Sequence, residues 1–283
     1  MDYQLLALHD GRDLEFATND VASSAAIIFH QGTLADLSEW ESWLEEFARL
    51  DVAAVAFNRS GYGRSSSKDG RITLDVGRDV AELADHLGLS SFVSVGWSGG
   101  GSHALATTID PRCRGVVTLA GIGPFGVDDL DFYDGLKAAD VAEYRAALRD
   151  VNELIELLRE TGDDLESCEA DRRAIATPAM DEVRRATERT TSLGWRCLAD
   201  DYSAYLSPWG FAVEDISVPV VIFQGDLDEN VPIGHARWLA DHIPGADLRV
   251  YPGEGHVSLV FFHRDDIIAA TRGLLGQNPE FTQ

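Results

Sequence analysis

The sequence is short of lysine and cysteine, and it has no long apolar run. Only two of its 23 basic residues are lysines, Lys68 and Lys137, against 48 acidic residues, and the formal net charge is −25. Nucleic acids and anionic membranes both bind a basic face, and no Lys/Arg run supplies one, so neither is expected as a partner. The three cysteines, Cys113, Cys168 and Cys197, are odd in number, far apart and never in a CxxC pair. That argues against zinc, iron–sulfur and disulfide frameworks and predicts reduced thiols in a cytoplasmic protein. Met-Asp-Tyr-Gln at the start carries no basic region followed by an apolar stretch, so no secretory signal is expected. No segment approaches the ~18 apolar residues of a membrane span. HExxH, GxGxxG and GxxxxGK[ST] are all missing, so neither a metal nor a nucleotide cofactor is expected.

What is present is a chain of 283 residues, 45% hydrophobic and 25% charged. That length suits one large domain, or one core with an insertion. Segments 3–8 and 13–17 read as short strands around His9-Asp10-Gly11-Arg12. Further strands are expected at 25–29, 52–57, 92–95, 115–119, 218–223 and 248–251. Helices are expected at 38–50, 76–87, 102–109, 237–242 and 267–275. This alternation predicts an α/β fold with a mostly parallel, doubly wound sheet of about eight strands. It is interrupted over 124–210 by a charged, helical insertion, which leaves 1–123 and 211–283 as the core. Within the insertion, Val141, Tyr144, Leu148, Val151, Ile155 and Leu158 step by three and four, which predicts one apolar helix stripe packed on its neighbour.

The sharpest local signal is Gly96-Trp97-Ser98-Gly99-Gly100, a GxSxG element between a strand and a helix. Two glycines around Ser98 let the backbone turn sharply and present its hydroxyl. A serine hydroxyl needs a base. Of the eight histidines, His256 lies in Gly253-Glu254-Gly255-His256, just beyond the last strand, where active sites of open α/β sheets collect. His103 and the other histidines read as packing residues. The base in turn needs an orienting carboxylate, and both Asp226 and Asp228 follow the strand at 218–223.

These motifs resemble the α/β-hydrolase fold with a helical cap, and the chain order Ser, Asp, His fits it. The resemblance implies that Asp228, fourth in Gly225-Asp226-Leu227-Asp228 before Val231-Pro232, is the acid, and that Asp226 is peripheral. It implies an oxyanion loop at His30-Gln31-Gly32-Thr33, with the backbone N–H groups of Thr33 and Gly99 as donors. Leu34 departs from the proline common there. Asn58 and Ser60 depart from the family's Asp-Arg-Pro-Gly, and the loop from Asn58 to Ser65 reads as structural. GWSGGGSHALA (96–106), Ser207 to Phe211 and His235 to Leu239 also resemble a subgroup of bacterial capped hydrolases. Dehalogenases and epoxide hydrolases of this fold carry Asp at the Ser98 position.

The expected activity is therefore hydrolysis of a small or medium carboxylic ester through an acyl-enzyme on Ser98, with a small-molecule substrate. One rival is an aminopeptidase resembling proline iminopeptidases, in which Asp128, Asp129, Asp131, Asp163, Asp164, Glu166 and Glu169 would hold an ammonium group. Another is a non-catalytic small-molecule receptor on the same fold.

Overall fold

The computed structural model describes residues 1–161 and 165–276. Its sheet is built from β1 (Gln4–Ala7), β2 (Asp13–Thr18), β3 (Ala25–His30), β4 (Ala53–Phe57), β5 (Ser91–Trp97), β6 (Cys113–Leu119), β7 (Val220–Gly225) and β8 (Asp247–Tyr251). They lie in the order β1-β2-β4-β3-β5-β6-β7-β8. β1–β2 and β2–β4 are antiparallel and every other pair is parallel. The central strands read as unbroken apolar runs because both faces are covered. Successive side chains of one strand enter opposite cores. Ala26 and Ile28 of β3 join Val55, Phe57 and Phe92, whereas Ile27 and Phe29 join Ala54, Ala56 and Val95.

Helices cover both faces. α1 (Glu41–Arg49) packs on one face and α2 (Thr73–His86) and α3 (Gly99–Ala106) on the other. The insertion between β6 and β7 contributes α4 (Ala138–Arg149), α5 (Val151–Thr161), α6 (Glu169–Ile175), α7 (Met180–Leu193) and α8 (Arg196–Leu206). α9 (Ile233–His242) precedes β8, and α10 (Ser258–Phe262) and α11 (Arg264–Leu274) follow it. Among the described residues no helix is long and apolar enough to cross a membrane.

The single stripe expected from Val141 to Leu158 is instead two helices. Asp150 is extended (φ −159°), and its carboxylate accepts the N–H groups of Asn152 (2.7 Å) and Glu153 (3.3 Å), capping α5. The break shifts the phase. Leu148 is exposed, and Leu154 and Leu158 carry the packing against Leu198. Residues 37–40 form a separate 3₁₀ turn ahead of α1, capped by the Asp36 carboxylate.

Candidate active site

β5 ends at Trp97 and α3 begins at Gly99, three residues earlier than the spacing predicts. Ser98 alone makes the turn, at φ +55°, ψ −126°, a conformation that costs a non-glycine residue on the order of 1–3 kcal/mol. The strain is held by the Ser98 N–H bond to Leu119 O (2.8 Å) and the Gly101 N–H bond to Ser98 O (2.9 Å). A Cβ on Gly96 would lie 2.1 Å from Gly100 O, and one on Gly100 would lie 2.3 Å from His30 O. Strand and helix approach this closely only because both positions lack a side chain. Ser98 is partly exposed between buried neighbours and lines a cavity of about 130 Å³.

His256 lines the same cavity. Its Nδ1 lies 2.8 Å from Asp228 Oδ2. The Asp228 carboxylate already accepts the N–H groups of Asn230 and Val231 (both 2.9 Å), so Nδ1 is assigned as the donor and Nε2 as the acceptor nitrogen. Trp97 stacks on the imidazole with 5.7 Å between centroids, and its Nε1 donates to His256 O (3.3 Å). Asp226, the other acid compatible with the spacing, is exposed, and among the described residues its carboxylate accepts the Gly253 N–H of the turn after β8 (2.7 Å).

Thr33 and Gly99 also line this cavity. Among the described residues, no bond takes up the backbone N–H of either. The Thr33 hydroxyl lies 2.7 Å from the Tyr205 hydroxyl on α8, and the pair sits tight over Gly99. A Cβ on Gly99 would be 2.0 Å from the Tyr205 oxygen. Ser98, His256, Thr33 and Gly99 are thus brought to one cavity, with Asp228 bonded to His256.

The family profile described as "alpha/beta hydrolase fold" matches residues 25–262. The chain is an α/β-hydrolase. It is 25% identical over 259 residues to a non-heme haloperoxidase from Rhodococcus erythropolis, covering 87% of this chain and 90% of that protein. Over 132 residues it is 28% identical to a bifunctional esterase/perhydrolase from Acinetobacter calcoaceticus, covering 45% of this chain and 48% of that one. In fold it is similar to an esterase from Rhodococcus sp. ECU1013, with a TM-score of 0.74 at 15% identity over 98% and 99% of the two chains.

Among the described residues, the acids lining this α/β-hydrolase's cavity differ from those named from composition. Glu39, Asp140 and Glu143 line it. Asp129 instead accepts from Trp238 Nε1 (2.6 Å) and lies 3.1 Å from His242, and Glu166 and Glu169 pair with Arg172. Asp128 and Asp131 lie outside the cavity lining, and Asp163 and Asp164 fall outside the described residues. Glu39 is 5% exposed. Burial pushes its carboxyl up to about 8, against the Gly32 N–H bond (2.6 Å) and the Arg59 charge, which pull it down.

Sequence reasoning also missed Asp171 on α6. Its buried carboxylate accepts from the backbone N–H groups of His256 (3.1 Å), Val257 (3.0 Å) and Ser258 (2.8 Å), and it holds the histidine loop from the insertion side. It also accepts the nearby Ser167 N–H (3.0 Å), but nothing local marks its hold on the histidine loop, because those partners lie 85–87 positions away in the chain. The three cysteines are free thiols, and burial pushes Cys113 up to about 11 and Cys197 up to about 12.

Proposed function

We propose that this α/β-hydrolase cleaves a small or medium carboxylic ester, with Ser98 as nucleophile, His256 as general base and acid, and Asp228 orienting the imidazole. The observation that carries the reading is the 2.8 Å Asp228–His256 bond beside a strained serine on the same cavity. His256 Nε2 takes the Ser98 proton as Oγ attacks the carbonyl carbon. The oxyanion is received by the N–H groups of Thr33 and Gly99. The imidazolium returns its proton to the departing alcohol. Water, deprotonated by the same nitrogen, then releases the acid and restores Ser98. The volume of about 130 Å³ favours a short acyl group, since a cavity of about 150 Å³ holds a benzene-sized molecule. Segment 124–210 is read as the cap that closes this cavity over a core of 1–123 and 211–283.

The test is pre-steady-state hydrolysis of a short-chain nitrophenyl ester. The parent protein should release a burst of nitrophenol and Ser98→Ala should not. Asp228→Asn should lower kcat by on the order of 10⁴, because the amide holds the wrong tautomer. Asp226→Asn should leave kcat within about twofold, because its carboxylate serves only a surface turn; the reverse order would reassign the acid. The rate should also fall on acidification, since a protonated imidazole accepts no proton.

A second reading, transfer of the acyl group to hydrogen peroxide, is favoured by the likeness to the bifunctional esterase/perhydrolase. Peracid formed from ester and peroxide, at a rate exceeding hydrolysis, would put that reading first.

A further inference from the structure

We propose that Arg59 is a positioning residue for the oxyanion hole, aligning and polarising the peptide whose N–H belongs to Thr33. This rests on the reading of Thr33 as an oxyanion donor.

Arg59 is fully buried in the loop after β4. Its guanidinium is held as a fork by Asp201 on α8, with Nη2–Oδ2 at 2.5 Å and Nε–Oδ1 at 3.3 Å. The same group reaches the loop after β3. Nη2 donates to Gly32 O at 3.1 Å and Nη1 donates to Gln31 O. The Gly32 carbonyl and the Thr33 N–H are the two ends of one peptide unit. A cationic donor on the oxygen draws electron density from the nitrogen and makes its N–H a stronger donor. The preceding peptide is pinned at both ends as well, by Arg59 at Gln31 O and by Glu39 at Gly32 N. With both planes fixed, the Thr33 N–H has one direction available to it.

Two further contacts tie this arrangement to α8. The Tyr62 hydroxyl lies between Thr33 O and Asp201 Oδ2 (2.7 Å), and its single hydrogen serves one acceptor at a time. Tyr205, one turn after Asp201, holds the Thr33 hydroxyl. Asp201 and Tyr205 thus grip the oxyanion loop from one face of α8. A purely stabilising ion pair would not require the carbonyl contacts. Buried pairs replaced by apolar residues often cost nothing, so stability alone gives little reason for this one. Arg71 also donates to Asp201, which leaves the aspartate compensated when Arg59 is altered.

Arg59→Lys keeps the charge but cannot span Asp201 and two carbonyls at once. With a short-chain nitrophenyl ester, kcat is expected to fall roughly 10- to 100-fold with KM within about twofold, less than the loss of a whole oxyanion donor. Affinity for an alkyl boronic acid, whose tetrahedral adduct on Ser98 places a negative oxygen in the hole, should fall in parallel with kcat. Tyr62→Phe, which preserves every buried charge, should show a smaller loss in the same two quantities and covers the case of an unfolded lysine variant. Folded Arg59→Lys with unchanged kcat and boronate affinity overturns the role, and so does a loss confined to KM; if only Tyr62→Phe folds, unchanged values for it do the same. A parent protein that neither cleaves esters nor binds the boronate removes the proposed function, and this inference with it. One that does both while the variants match it removes the Arg59 role alone.

Discussion

Glu39 shows how much one side chain depends on its surroundings. Its carboxyl accepts the Gly32 N–H, and burial holds its proton to about 8, against an ordinary value of 4.5. Between those limits the folded chain binds more protons at this site than the unfolded chain does. The contribution of Glu39 to stability is therefore complete below about pH 4.5 and declines as pH rises toward 8. Arg59 opposes the shift, and Asp36 and Glu182 reinforce it. Glu39→Gln, neutral throughout, should melt at least as high as the parent protein at pH 8.5 and lose part of that advantage at pH 5. A melting-temperature difference that does not change with pH would contradict a neutral Glu39. In the sequence, Glu39 looks like one more acid in an acidic chain. Only its place under the loop after β3, where it accepts the Gly32 N–H, sets it apart.

At the scale of elements, the serine turn and the histidine loop are built by opposite means. The turn depends on missing side chains. Gly100→Ala would put a methyl group 2.3 Å from His30 O and 2.6 Å from Gln31 O, both rigid backbone atoms. It should abolish activity and lower the melting temperature, because neither strand nor helix can yield without moving Ser98. The histidine loop depends on an added group. Asp171→Ala leaves the N–H groups of His256, Val257 and Ser258 without their carboxylate. Each buried, unmet donor costs about 1–3 kcal/mol. Calorimetry should show a loss of at least about 2 kcal/mol, with kcat falling as the imidazole loses its fixed aim. A neutral substitution would mean that water replaces the carboxylate. The first device was legible as GxSxG. The second was not, since α6 carries no signature and meets the loop only in three dimensions.

For the molecule as a whole, the net charge of −25 is the dominant long-range feature. Like charges spread over the surface repel in the compact state more than in the expanded chain. Salt shortens the range of that repulsion from about 30 Å at 0.01 M to about 8 Å at 0.15 M. The melting temperature should therefore rise between those ionic strengths, with most of the gain reached by 0.15 M. A melting temperature that falls with salt would mean that the surface ion pairs outweigh the repulsion.

Continuous apolar runs and 3.6-residue spacing disclosed the sheet and its flanking helices, because a strand covered on both faces is apolar throughout and a packed helix buries one stripe. The Ser98, Asp228 and His256 positions were legible because each follows a strand in a motif a few residues long, although β8 before His256 is not itself buried. The split of the expected stripe into α4 and α5 was less so, since Asp150 caps through a side-chain bond that apolar spacing does not register. Glu39, Asp171 and the Arg59–Asp201 fork were out of reach. Ordinary charged residues become buried, neutral or polarising only when distant segments exclude water around them, and that is decided by tertiary packing.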